Sequence, residues 1–271
     1  MNKIITSKVS FFSYVREIWQ DRAILFQLGM KNIVVRYKQT ILGLMWSFLN
    51  PLLSILVFTL VFSVFIGLRV QGKHTSYTLL VLSGLICWQL FSETVNNIES
   101  SLINNSNILN KIYFPRIIFC ISSGFVTILE SIIALLLFFV LTLFFHYHYS
   151  YRLLYLPFLI LYAYLLAFGP GLIVASLTIK YRDLKHIIPV ILKIFFYLSP
   201  VVYSIEIVPD KFLNYYILNP IVGLISVFRW ILLDHTLNIK ALELSLAFCF
   251  VVNIIAFYVF IKTEKSLADE I

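Results

Sequence analysis

Two ionisable residues of this sequence, Glu130 and Lys193, lie inside long apolar runs. A charge in hydrocarbon is costly, so such groups face a protein interior or a water-filled path. An ion-coupled carrier would use them as a proton or cation relay. At about 1.5 Å per helical residue, Glu130 is expected roughly 20 Å and Lys193 roughly 10 Å from the cytoplasmic ends of their helices. Lys193 is then close enough to the interface to snorkel, and pairing with Glu130 is one option. Two charges are thin for a relay, and the sequence lacks the paired broken helices of inverted-repeat carriers.

Other reactive constellations are scarce. The chain has no G-x-x-x-x-G-K-[ST] phosphate loop, no G-x-S-x-G elbow and no H-E-x-x-H. His146 and His148, at i and i+2, offer two ligands where a zinc site needs three or four. His74, His186 and His235 are scattered. A membrane glycosyltransferase would hold a metal-bound sugar nucleotide between paired carboxylates. Here Glu93, Glu99, Asp183, Glu264, Asp269 and Glu270 form no D-x-D pair. Neither a catalytic residue nor a resident metal or cofactor is therefore expected. Cys87, Cys120 and Cys249 each sit in an apolar stretch, far apart, and read as buried small residues.

The elements that must position these groups are membrane helices. Of 271 residues, 61% are hydrophobic and 13% charged, too apolar for a soluble domain to bury. Six stretches are long enough to span: 42–68, 77–95, 117–145, 153–179, 187–205 and 243–261. Between the last two, Phe212–Leu233 is apolar but broken by Asn214, Asn219, Pro220, Gly223 and Arg229. It reads as a re-entrant or interfacial hairpin, although a seven-span chain would let it cross. Before the first span, apolar residues recur at helical spacing over 11–37, from Phe11 through Val15, Ile18 and Trp19 to Tyr37. That pattern predicts an amphipathic helix in the interface. The expected fold is one all-α integral membrane domain over 1–271. Nine charged residues from Lys3 to Lys38 precede the first long apolar run, so the spans, rather than a cleavable signal, are expected to direct insertion.

The net charge of +8 would suggest nucleic acid in a soluble protein. Here the charges lie mostly between apolar spans and report orientation instead, and no nucleic-acid partner is expected. With six spans and both termini cytoplasmic, the inner segments carry fourteen Lys/Arg and the outer ones six, which favours that orientation.

The joints between spans carry the most information. Arg36-Tyr37-Lys38-Gln39-Thr40-Ile41-Leu42-Gly43-Leu44-Met45-Trp46 leads into Asn50-Pro51, where Pro51 should kink the first span. Tyr113-Phe114-Pro115-Arg116 opens the third span, with Pro115 at a natural helix start. Arg182-Asp183-Leu184 opens the fifth, where Asp183 is suited to cap exposed amides, and Ser199-Pro200-Val201 falls inside it.

In this order and spacing the joints resemble the membrane subunit of ABC transporters that export lipid-linked polysaccharides such as O-antigen, capsule and teichoic acid chains. The resemblance runs from the interfacial helix to the ending Glu264–Ile271. One departure is Leu267, where members often carry Phe before Ala-Asp. The resemblance implies six spans per subunit, a homodimer in the bacterial cytoplasmic membrane, and two copies of a separate cytoplasmic ATPase that hold ATP and Mg. The substrate would be an undecaprenyl-type lipid-linked polysaccharide, O-antigen first, with teichoic acid and capsule open. Similar exporters place a coupling helix between the second and third spans. Here that stretch offers Ile98, Leu102, Ile103, Ile108 and Leu109 as apolar knobs, with Asn104, Asn105 and Lys111 as polar neighbours. A sugar path needs polar and aromatic groups in water. Gly43, Ser47, Asn50 and Ser54 form one helical stripe on the first span. Lys193, Phe196/Tyr197, Pro200 and Tyr203/Ser204 form another on the fifth.

Overall fold

Helices are the only regular structure among the described residues of the computed structural model, which describes residues 11–38, 43, 45–67, 76–106, 114–145, 147 and 149–270. The expected interfacial helix is two helices, α1 (Phe11–Gln20) and α2 (Arg22–Lys38), separated by one residue, Asp21. Tyr14 and Gly29 turn inward, whereas Trp19, Phe26, Met30 and Val34 are exposed. That outward apolar face suits the boundary between headgroups and acyl chains.

The first span is α3 (Met45–Phe58), continued by a π-helical segment at Thr59–Phe65. Pro51 lies inside α3 and is buried. α4 (Tyr77–Asn104) begins with Ser76 accepting a hydrogen bond from the Thr78 amide at 3.3 Å. It was expected to end near 95 but continues for nine residues. The polar residues that read as loop bond locally or to a neighbouring helix. Ser101 Oγ donates to the Ile98 carbonyl at 2.7 Å, and Asn97 Nδ2 donates to Thr127 Oγ1 at 3.1 Å. α5 (Ile117–Phe144) follows, then a 3-10 turn at Tyr151–Tyr155 and α6 (Leu156–Thr178).

The fifth expected span, 187–205, is where the structure departs most. α7 (Leu184–Tyr197) has 14 residues and is about 21 Å long, short of a hydrocarbon core of about 30 Å. Turns and bends at Leu198–Tyr203 then redirect the chain. Ser199 Oγ donates back to the Phe195 carbonyl at 2.7 Å, and Pro200 offers no amide to continue the ladder. The Phe212–Leu233 region holds α8 (Asp210–Tyr216) and α9 (Pro220–Leu233), which meet at 101°. Asn219 opens α9 by accepting from the Ile221 amide at 3.1 Å, with Pro220 as the first helical residue. α10 (Ile239–Glu270) closes the chain. Among the described residues, five helical segments are long and apolar enough to cross a membrane, or six if the bent α8–α9 pair counts as one.

α4 is the axis of the bundle, packed by α5, α6 and α9, while α10 lies on α6 and α9 and α2 lies on α5. Close approach needs glycine at two places. A Cβ on Gly84 of α4 would stand 2.1 Å from the Val201 carbonyl oxygen, and one on Gly223 of α9 would stand 2.3 Å from that of Ala241. Coverage is uneven: α4 is mostly buried, whereas the α3 segment and α10 are mostly uncovered. The uncovered faces of α3 and α10 are therefore left for lipid or another polypeptide.

Candidate functional site

The polar residues of the bundle converge where α2 ends and α3 begins. Arg36, near the end of α2, directs Nη2 to Glu130 Oε1 at 3.2 Å and to Glu93 Oε2 at 3.7 Å. Its neighbour Tyr37 donates from its hydroxyl to Glu130 Oε1 at 3.0 Å, and the same hydroxyl lies 3.2 Å from Ser47 Oγ. Glu130 is 7% exposed, and its second oxygen, Oε2, has no hydrogen-bond partner among the described residues. One guanidinium thus serves two carboxylates, one buried on α5 and one partly buried on α4. Burial raises the Tyr37 phenol above its ordinary range, and the Glu130 carboxylate adds to that shift while Ser47 opposes it. Tyr37 therefore stays protonated and is held as a donor.

These groups line an open cleft of about 210 Å³, completed by Gly43, Trp46, Asn50 and Gln89. Gly43, just before α3, has φ +48°, a left-handed conformation that glycine adopts without a side-chain clash. Carboxylates, amides, a tyrosine hydroxyl and an indole are the set that hydrogen-bonds and stacks on a polyhydroxylated ring.

Ser47 and Asn50 therefore meet at this cleft, and Arg36, Tyr37 and Trp46 join them as lining groups as well as joints. Ser54 is half-buried further along α3. On α7, Lys193 is exposed and stands apart from Glu130, whose cation is Arg36. Phe196 packs on Trp88 at 5.5 Å and on Phe58 at 6.0 Å between ring centres. Tyr197 is exposed at the helix end. The expected stripe goes no further, because the helix stops there. Pro200 is buried in the turn, and the Tyr203 hydroxyl is 2.9 Å from that of Tyr216 and donates to the Tyr197 carbonyl at 3.2 Å.

The remaining joints divide. Pro115 is buried and Arg116 partly buried at the start of α5. Arg182 and Asp183 are exposed. The expected side-chain cap by Asp183 is not formed; its backbone carbonyl accepts instead, from the His186 amide at 2.9 Å. In the stretch expected to meet an ATPase, Asn104 is exposed and Asn105 Nδ2 donates to the Ser101 carbonyl at 2.8 Å. Ile98 and Leu102 are buried in the core and cannot serve as knobs. Ile108, Leu109 and Lys111 lie outside the described residues.

Sequence reasoning missed the role of Arg229, which it read as a breaker in an apolar run and a marker of the outer hairpin. Arg229 is buried on α9 and gathers the turn after α7. Its Nη2 donates to the Pro200 carbonyl at 2.7 Å and the Val201 carbonyl at 3.1 Å, and its Nη1 to the Tyr203 carbonyl at 3.0 Å. A cation inside an apolar stretch was the available signal. At the end of α9, Asp234 takes a left-handed conformation (φ 55°) and pairs with Arg152, whose guanidinium lies 4.8 Å over the Trp230 ring.

Comparison with known proteins agrees with this architecture. The profile of the ABC-2 type transporter family matches residues 24–233. An O-antigen export system permease protein of Klebsiella pneumoniae is 28% identical over 255 residues, covering 91% of this chain and 94% of that protein. A second from the same organism is 26% identical over 252 residues, with the same coverage. One from Myxococcus xanthus is 27% identical over 225 residues, covering 82% of this chain and 85% of that protein. With a multi-helix membrane bundle and a family profile that spans most of its length, the chain belongs to the ABC-2 type transporter family as a membrane-embedded transport subunit.

Proposed function

We propose that this chain is the permease of an ATP-driven exporter that moves lipid-linked polysaccharide, O-antigen first, across the bacterial cytoplasmic membrane. It works as a homodimer with two copies of a cytoplasmic ATPase, which hold ATP and Mg, and both of its termini are cytoplasmic. The relatives named as O-antigen export permeases, aligned over nearly the whole chain, support the substrate. The observation that carries the reading is the cleft at the α2–α3 junction. A polysaccharide is polar and wide, and its lipid end stays in the membrane. Its sugars must therefore enter beside an interfacial helix, at a hydrated opening next to the first span. The Arg36–Glu130–Tyr37 constellation lies at such an opening, with Trp46 and Asn50 on its rim. The uncovered faces of α3 and of α7, where Lys193 and Tyr197 stand exposed, are the surfaces on which a second copy would complete a central path. Coupling to the ATPase falls to the Asn104–Lys111 stretch between α4 and α5.

Deletion of the gene in its own host tests this reading. Surface polysaccharide should disappear, and lipid-linked polymer should accumulate on the cytoplasmic side. The wild-type gene should restore the surface polymer. An unchanged surface polymer in the deletion strain would overturn the assignment.

A further inference from the structure

The ends of the described chain meet at one carboxylate. Glu264 on α10 accepts from the Tyr14 hydroxyl through Oε2 at 2.6 Å and from the Arg116 amide through Oε1 at 2.8 Å. Arg116 is the residue immediately before α5, so Glu264 places an anion at the positive end of a 28-residue helix and occupies one of its orphan amides. Tyr14 is 5% exposed and its ring lies in a core with Ile98 and Leu102 of α4, Ile117 and Phe119 of α5 and Phe260 of α10. Burial, then the adjacent carboxylate, holds the Tyr14 phenol well above its ordinary range, so it remains a donor. No Lys or Arg nitrogen of the described residues forms an ion pair with Glu264. The carboxylate is held by these two hydrogen bonds.

The clasp joins three elements that are far apart in sequence: α1, the start of α5 and the end of α10. α1 leads directly into α2, whose far end carries Arg36 and Tyr37 to Glu130 in the cleft. We infer that Glu264 is a positioning residue that makes the start of α5 and the N-terminal helices move as one body, so that a displacement applied at the cytoplasmic end of α5 reaches the cleft through α1 and α2. This rests on the reading of the chain as an ATP-driven permease. Neither Glu264 nor Tyr14 touches the cleft, so their effect is on coupling rather than on substrate contact.

The test uses the complete permease–ATPase complex in proteoliposomes, with ATP hydrolysis and polymer export measured together. Wild type must first show export that depends on hydrolysis; if it does not, the permease reading itself fails, whatever Glu264 does. Given a working wild type, Glu264→Ala should keep basal hydrolysis within about twofold and lower polymer exported per ATP by about tenfold, the effect of roughly 1.4 kcal/mol of lost coupling. Glu264→Gln still accepts from the Arg116 amide and should recover most of the export. Tyr14→Phe keeps the ring in the core and should give an intermediate ratio. A cysteine pair at positions 14 and 264, in a chain lacking the native cysteines and bridged by a short bifunctional thiol reagent, should export more per ATP than the unbridged pair. An unchanged export-to-hydrolysis ratio in Glu264→Ala would overturn the inference. So would loss of export on bridging, because the two residues would then have to separate during the cycle.

Discussion

Arg36 Nη2 lies 3.2 Å from Glu130 Oε1, joining the end of the second N-terminal helix to the thirteenth residue after the start of α5. This contact changes the meaning of an acidic residue within an apolar helix. Glu130 is part of a shared cluster with Arg36, Tyr37 and Glu93 at the mouth of the first span. Its ion partner is Arg36 rather than Lys193.

Unequal damage should follow from removing the two charges. Arg36→Ala leaves a buried carboxylate without its cation. That costs about 3–5 kcal/mol for a fully buried pair, and less here because Arg36 is itself half exposed. Glu130→Gln keeps the volume and an acceptor for Tyr37, and should cost about 1 kcal/mol. The double variant should therefore be more stable than Arg36→Ala alone. Thermal unfolding of the detergent-purified proteins, followed by size-exclusion chromatography, checks the order. A double variant less stable than Arg36→Ala contradicts the pairing.

Arg229 should be the least replaceable residue of the α7–α9 region. Arg229→Ala strands the carbonyls of Pro200, Val201 and Tyr203 and should cost about 3 kcal/mol or more. Arg229→Lys keeps a charge but loses the planar fork, and should fall between the two. The same unfolding assay reads this, and equal stability of Arg229→Ala and wild type would contradict a clamping role for Arg229.

Gly84→Ala should be damaging although it adds only one methyl group. The new carbon would meet the Val201 carbonyl oxygen at 2.1 Å, so α4 or the turn after α7 must shift. Overpacking of this kind costs about 1–3 kcal/mol. A melting temperature unchanged from wild type would show that the two segments are not in contact.

Cysteine labelling separates lining positions from packed ones. In a chain lacking Cys87, Cys120 and Cys249, Asn50→Cys and Tyr197→Cys should react with a water-soluble thiol reagent during turnover, and a bulky label there should block export. Phe196→Cys, shielded by Trp88 and Phe58, should react much more slowly. Rapid labelling at Phe196 with none at Asn50 would reverse the assignment of faces.

Much of this fold was legible in the sequence because long apolar runs have few alternatives in a bilayer. The Ile117–Phe144 helix is within one residue of its expected end. The ends of α4 and α7 were not legible, for opposite reasons. α4 continues through Asn97 and Ser101 because their side chains find partners on Thr127 and on their own helix, which hydropathy does not register. α7 stops at Tyr197 inside an apolar run because Ser199, Pro200 and the distant Arg229 stabilise a turn. Periodicity alone cannot separate a full span from a shorter helix followed by a packed turn. Ser47 and Asn50 were legible as a stripe on one helix. Their meeting with Arg36, Glu93 and Glu130 depends on the packing of α2 against α5, a contact between residues more than ninety positions apart.

Vectorial transport tests whether this chain forms the path of an ATP-driven polysaccharide exporter. The chain is reconstituted with its partner ATPase in liposomes that carry lipid-linked polysaccharide on the ATPase side, and the polymer protected from an added glycosidase is measured with time. Protection should grow only with ATP and Mg, and should fall sharply when Arg36 is replaced by Ala. ATP hydrolysis by the assembled complex with no growth in protected polymer would contradict it.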